Sequence, residues 1–186
     1  MKILSLFCGS DSFRGQLEQI RPKLYRVAYS WSHNASLADD LVQETLVKAL
    51  KNSGQLRDPA LLNGWLFRIL ANCWRDHFRQ QKEMDDIDDV EDYRCVTHAT
   101  PEDHHARTQL ISRVREAVAK LPVGQRQVLT LVDLEEFAYT EVAAILAIPI
   151  GTVMSRLSRA RLTMKTLLKE LAPQQSVPVS HIRRVR

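Results

Sequence analysis

Residues 82–103 carry nine acidic groups and two basic ones, densest in the run Lys82-Glu-Met-Asp-Asp-Ile-Asp-Asp-Val-Glu-Asp-Tyr93, and no packed core absorbs charge at that density. The run divides the chain. It reads as a solvated, self-repelling tether between two bodies, and equally as a tether that also engages a basic channel on a partner. After it, Thr97-His-Ala-Thr-Pro-Glu-Asp103 predicts a helix start with Thr100 as N-cap and Pro101 at the first position.

The blocks on either side are basic. Residues 1–81 carry 11 basic and 7 acidic groups, and residues 104–186 carry 13 and 6. The total of +4 is mild and does not by itself point to nucleic acid, but its distribution is more telling. With 45% hydrophobic and 26% charged residues the chain has the composition of a globular protein. Gly and Pro are scarce (6 and 7 residues) and no alternating β-branched stretch stands out, so the apolar periodicity is helical nearly throughout. The expected fold is all-α: two small helical domains joined by an acidic flexible linker. Helices are predicted over about 11–32, 36–51, 60–81, 105–120, 123–134, 139–147 and 150–171. The corresponding organisation is an N-terminal extension (1–10), a first domain (11–81), the linker (82–104), a second domain (105–172) and a basic tail (173–186). There is no internal repeat.

No run approaches the roughly 18 uninterrupted apolar residues of a membrane-spanning helix, and the first residues are too short for a signal peptide. A cytoplasmic location is expected. Cys8, Cys73 and Cys95 form no CxxC pair and read as reduced thiols.

The clearest local signal lies near the C-terminus. A short helix with apolar Val142, Ala143, Ile145 and Leu146 is stopped by Pro149, and Gly151 and Thr152 then open a second helix, which is helix-turn-helix spacing. In the second helix Val153, Leu157, Ala160, Met164, Leu167 and Leu171 recur at steps of four and three and form a buried stripe. Thr152, Arg156, Arg159 and Thr163 share a flank outside it. Residues 150–169 contain five basic groups and no acidic one, a face suited to phosphate oxygens and guanine edges. Met154 and Ser158 either touch thymine methyls or a sugar, or merely cover the helix.

Residues 60–81 give a second informative helix. Leu62, Leu66, Ile69, Leu70, Cys73 and His77 make one face, and Arg68, Asn72, Arg75 and Arg79 form a basic ladder on another. Trp65, Phe67 and Trp74 interleave with the arginines, as stacking platforms for bases or as packed core. Between these features and the N-terminus, Asp39-Asp40-Leu-Val-Gln43-Glu44 opens an amphipathic helix with Leu41, Thr45 and Lys48 on one side and Val42, Leu46, Ala49 and Leu50 toward the core. Asp39 and Asp40 fit the positive end of the helix dipole, whereas Gln43 and Glu44 are freer to contact a partner.

In order along the chain, Asp40-Leu-Val-Gln-Glu-Thr45, Trp65-Leu-Phe-Arg-Ile-Leu-Ala-Asn72 with Asp76 and Arg79, Leu121-Pro-Val-Gly-Gln-Arg126, Glu141-Val-Ala and Gly151-Thr-Val-Met-Ser-Arg-Leu-Ser-Arg-Ala-Arg161 resemble the bacterial extracytoplasmic-function sigma factors of the sigma-70 family. The resemblance covers about residues 12–171. It implies a two-domain transcription initiation factor that binds the β′ and β subunits of core RNA polymerase, directs it to promoter DNA and aids melting. Asp40, Gln43 and Glu44 would dock on the β′ coiled coil. The segment from Asn52 to Asn63 would capture a flipped minus-10 base, with Arg68, Asn72, Arg75 and Arg79 along the adjoining DNA. Ser155, Arg156 and Arg159 would read or clamp the minus-35 element, with Thr152 near a phosphate. The acidic linker would run toward the RNA exit path. The resemblance implies no catalysis, metal, cofactor or small-molecule substrate, and it implies an anti-sigma factor, which in some members holds the protein at the membrane. Two positions depart from the pattern: Met154 stands where members often carry Lys or Arg, and Ala138 where many carry Ser as an N-cap, so that Thr140 would cap instead.

Two other classes compete. A stand-alone helix-turn-helix regulator, dimeric over half-sites, accounts for the C-terminal unit and leaves Gln43 and Glu44 without a role. A metal-dependent enzyme or sensor would use Cys95, His98, His104 and His105, which fall in the polar linker.

Overall fold

The structure, a computed structural model, describes residues 5–56, 58–84 and 107–170, with side chains over 13–56, 58–79 and 111–169. The expected cap at Thr100 and Pro101, the Cys95, His98, His104 and His105 cluster, the acidic run beyond Met84, Leu171 and the basic tail lie outside those residues. The described residues are helical and contain no strand.

Helix α1 (Ser5–Ser32) begins ahead of the expected boundary near residue 11 and takes in much of the supposed extension. Leu17, Leu24, Ala28 and Trp31, at steps of seven, four and three, are buried along one stripe. The helix ends where His33 turns left-handed (φ 49°) and donates its amide to the Tyr29 carbonyl at 2.8 Å. Asn34 then caps α2 (Ala35–Lys51), its side-chain oxygen accepting from the Leu37 amide at 3.1 Å.

In α2 the buried set is Ala38, Leu41, Val42, Thr45 and Ala49. This corrects the expected facing: Leu41 and Thr45 belong to the core, and Leu50 is exposed. Burying Thr45 is cheap because its hydroxyl donates to the Leu41 carbonyl at 2.7 Å. Because α2 starts at Ala35, Asp39 and Asp40 lie past its first turn, beyond the reach of the helix dipole that was expected to explain them.

Two short 3-10 turns, Ser53–Gln55 and Pro59–Leu61, lead into α3 (Leu62–Met84). Leu62, Leu66, Leu70 and Cys73 are buried as expected, together with Phe67, Ala71 and Trp74. The base-stacking option for Phe67 and Trp74 therefore fails: Trp74 meets Trp31 edge to face at 5.8 Å, and Phe67 meets Phe137 at 5.1 Å.

The C-terminal half consists of α4 (Arg107–Ala119), α5 (Val123–Leu129) continuing into a wide turn over Thr130–Leu134, α6 (Tyr139–Leu146) and α7 (Ile150–Glu170). Val128, Leu131, Val142, Ile145, Val153, Leu157 and Ala160 form its interior, which is continuous with the core of the first half.

A buried polar clasp lies at that junction. The Trp31 indole N–H donates to the Thr130 hydroxyl at 2.8 Å, and Thr130 faces the Arg126 carbonyl at 2.9 Å. The Arg126 guanidinium donates across the junction to the Trp31 carbonyl at 2.7 Å and, within its own half, to the Ala119 and Leu121 carbonyls at 2.7 and 2.8 Å. At the rim, Arg26 grips Glu135 through Nη2 at 2.6 Å and Nε at 3.1 Å. Beside the clasp, burial and then the Arg126 charge hold the His33 imidazole down from its ordinary 6.5 to about 4.

Thr130→Val keeps the shape and removes the acceptor of a buried indole N–H, so we expect a loss of about 1–3 kcal/mol in chemical denaturation. His33 is neutral in the fold at pH 7 and protonates in the unfolded chain near 6.5. The unfolded state therefore binds more protons between those values, and stability falls as pH drops from about 6.5 toward about 4. His33→Asn, which tolerates the left-handed backbone, should flatten that part of the stability–pH profile.

Candidate nucleic-acid interface

Helices α6 and α7 meet at 105°, within the range of a helix-turn-helix. The turn is made by the backbone. Ala147 takes a left-handed conformation (φ 53°, ψ 47°) as C-cap of α6, and the Ile148 amide returns to the Ala143 carbonyl at 3.1 Å. Pro149, expected to stop α6, instead starts α7: its carbonyl accepts from the Thr152 and Val153 amides at 2.9 and 3.2 Å. The N-cap of α6 is Ala138, which has no side chain able to cap. Glu141 supplies the bond instead, accepting from the Ala138 amide at 2.8 Å. Thr140, expected to cap, lies inside the helix.

On α7, Val153, Leu157 and Ala160 are buried and Met164 and Leu167 half-buried, as the stripe required. Arg159 is exposed. Thr152, Ser155 and Arg156 are half-buried, and the Ser155 hydroxyl donates back to the Thr152 carbonyl at 3.2 Å. The Arg156 guanidinium lies over α5, where a Cβ on Gly124 would sit 3.0 Å from its Cζ and Nη1. Glycine at 124 gives that side chain its berth. Arg161 is spent on structure: its Nη2 and Nε donate to the two Asp133 oxygens at 2.5 and 3.2 Å, and this pairing raises its pKa.

The basic ladder of α3 is exposed at Arg68, Asn72, Arg75 and Arg79, and Asn63 is exposed at its entrance. Arg75 Nη2 donates to Asn72 Oδ1 and its Nε to the Ala71 carbonyl at 3.3 Å. The loop leading in is pinned by side chains: Asn52 Nδ2 donates to the Lys48 carbonyl at 2.8 Å, Gln55 Nε2 to Asn52 Oδ1 at 3.1 Å, and the Ala60 amide to Asp58 Oδ1 at 2.9 Å. Leu61, at the end of that loop, is 62% exposed.

Asp40, Gln43 and Glu44 share an exposed face of α2 that continues through Val47 and Leu50. Sequence reasoning missed what ties this face to the ladder. Lys48 pairs with Glu44 at 2.8 Å and with Asp76 at 3.7 Å, and Asp76 pairs with Arg79 at 3.5 Å. The hydrogen bond to Glu44 raises the Lys48 pKa. The i,i+4 spacing of Glu44 and Lys48 was legible, but the crossing from α2 to α3 needed the fold. Among the described side chains no cluster of His, Cys, Asp and Glu has metal-site geometry.

The chain matches the family described as Sigma-70 region 2 over residues 17–84 and Sigma-70, region 4 over residues 111–164. It is 36% identical over 159 residues to the ECF RNA polymerase sigma factor EcfG of Rhodopseudomonas palustris, covering 86% of each chain. Among solved structures it is similar to the sigma factor RpoE in complex with the anti-sigma factor NepR from Bartonella quintana (TM-score 0.70, 30% identity, 85% of this chain and 97% of that one). It also resembles CnrH in complex with the cytosolic domain of CnrY (TM-score 0.60, 26% identity, 86% and 89%).

A left-handed alanine is costlier than a left-handed glycine. Ala147→Gly should therefore stabilise the protein by about 0.5–1 kcal/mol, read as a rise in melting temperature, with the helix-turn-helix retained.

Proposed function

The chain belongs to the extracytoplasmic-function group of the sigma-70 family and is a transcription initiation factor; from that premise we propose a division of labour between its halves. The C-terminal helix-turn-helix engages the minus-35 element, with Arg159 as the principal base-reading donor and Thr152, Ser155 and Arg156 positioning it. Helix α3 engages the minus-10 element through Asn63, Arg68, Asn72, Arg75 and Arg79, and the pinned loop before it offers a pocket for a base. The face of α2 carrying Asp40, Gln43 and Glu44 docks on the polymerase β′ subunit. The protein itself performs no chemistry; bond formation belongs to the polymerase, so its place of work is the cytoplasm, where polymerase and chromosome are. The observation that carries this reading is the exposure of two basic helical faces, with an acidic-headed face beside one of them.

The two elements lie about 25 base pairs apart, or about 85 Å along the duplex at a rise of about 3.4 Å. Helix α7 is only about 32 Å long, and α6, its partner in the helix-turn-helix, packs against α3. The clasped halves cannot reach both elements together. The 22 residues numbered 85–106 span about 75 Å at full extension, so the connection allows the halves to part on the promoter. The clasped form is then the state that precedes polymerase binding. The complexes of RpoE with NepR and of CnrH with CnrY support an anti-sigma factor as a further partner of this chain, and a membrane-anchored one would keep it there.

Run-off transcription with core polymerase on a promoter library tests the reading. Transcripts should depend on the protein. Arg159→Ala should lose roughly 1–3 kcal/mol of promoter discrimination, while Glu44→Ala should weaken polymerase binding and leave promoter choice intact. No transcripts, together with tight sequence-specific binding by the free protein, would establish a stand-alone regulator instead.

A further inference from the structure

The outer surface of α7 carries two parallel rows of residues at steps of four. One holds Gly151, Ser155 and Arg159. The other runs Ile150, Met154, Ser158 and Leu162, and its three large members are apolar and open to solvent at 45%, 55% and 68%. Exposed apolar side chains scattered singly are ordinary. Three in one row of one helix are not scatter, and the row, which winds about 120° round the helix, ends with Leu162 one turn from both Arg159 and Lys165 in a stretch, 150–169, that has no acidic residue. The surface they make is apolar in one line and cationic around it. An occupant that complements both properties is polyanionic and presents small apolar groups at regular spacing, which describes the major groove where thymine 5-methyl groups project into it.

We propose that Ile150, Met154 and Leu162 form a methyl-reading row that selects thymine in the minus-35 element, while Arg159 in the neighbouring row reads hydrogen-bonding edges. The inference rests on the assignment of α7 to that element and adds the chemical class it prefers. Recognition helices present their N-terminal residues to base edges, which makes Met154, in the second turn of α7, the central contact. Its unbranched thioether adapts to a methyl group without a fixed geometry. Leu162 lies eight residues on, about 12 Å along the axis and about 80° further round the helix, so the row crosses the outer surface of α7 and Met154 and Leu162 would meet different base pairs. A lysine or arginine at 154 would favour guanine instead, so the departure from the family pattern at this position is a change in the base preferred.

The test replaces thymine by uracil. Promoters are first selected from a library by transcription with the protein and core polymerase. Each is then rebuilt with deoxyuridine in place of thymidine at the minus-35 element alone, on both strands. The exchange removes the methyl group and leaves every hydrogen-bonding edge. Wild-type holoenzyme should bind the uracil form about fourfold more weakly for each methyl contacted. Met154→Ala holoenzyme should lose that penalty at one position and Leu162→Ala at another. Arg159→Ala holoenzyme should bind both forms more weakly and keep the penalty. Melting curves of Met154→Ala and Leu162→Ala, both at exposed positions, check that the fold is intact. Equal wild-type affinity for the thymine and uracil forms overturns the proposal, as do selected minus-35 elements without A·T pairs, or full retention of the penalty by both variants. Transcripts from thymine templates that are indifferent to uracil would overturn the methyl-reading row alone; no transcripts from any thymine template would overturn the initiation reading as well.

Discussion

Arg126 carries a permanent charge into the interior at the place where the two halves meet, and the surroundings are arranged to meet the cost of desolvating it. Its guanidinium reaches the carbonyl of Ala119 at the end of α4, that of Leu121 in the turn before α5 and that of Trp31 at the end of α1. Those three acceptors fix the closing turn of α1 against the start of α5. With that placement set, the Trp31 indole finds Thr130, and the aromatic contacts of Trp74 and Phe67 follow along the same seam. The wide helical turn after Leu129 places the Thr130 hydroxyl between the backbone of its own helix and the indole of the other half. A lysine would not serve at 126, because its compact ammonium lacks the planar fork that addresses carbonyls on two sides.

The interface side chains are held in a different way. Arg75 leans on Asn72, Arg79 on Asp76, and Lys48 on Glu44. Pairs of this kind between exposed groups are worth at most about 1 kcal/mol, so they orient the side chains and yield at little cost to a stronger partner. Arg161 differs, because its paired bonds to Asp133 brace α7 against the turn before α6. On α7, therefore, neighbouring arginines of equal charge have unequal duties: Arg159 faces outward, Arg156 rests over Gly124 and Arg161 braces the frame.

Much of this was legible in the sequence because it is local. Helical spacing revealed α3 and its exposed ladder, and the apolar steps through Val153, Leu157 and Ala160 located the recognition helix. What escaped was whatever depends on contacts between elements. Leu41 and Thr45 fall on the buried side of α2 because α1 and α3 both pack there, and no property of α2 alone specifies which side is doubly covered. Phe67 and Trp74 read equally as core or as stacking surface until Phe137 and Trp31 are seen against them. The cap of α6 is not legible from the residue at the cap position, because the reciprocal half of a capping box, here Glu141, lies three residues further on. Asn63, Arg68, Asn72, Arg75, Arg79 and Arg159 are exposed, as helical spacing alone predicts, but the berth of Arg156 and the bridge from Lys48 to Asp76 join segments far apart in the chain.

The clasp also has a consequence for how the protein competes with its partners. A contact between two segments tethered through a few tens of residues re-forms at an effective concentration on the order of millimolar, whatever the abundance of the protein. Anything that binds only one half contends with the other half at that concentration, and dilution does not weaken the contest. A ligand that grips both halves in their separated positions removes the rival as it binds. The chain thereby rewards bivalent engagement, and a ligand with two well-spaced docking points meets that requirement where one that touches a single half does not.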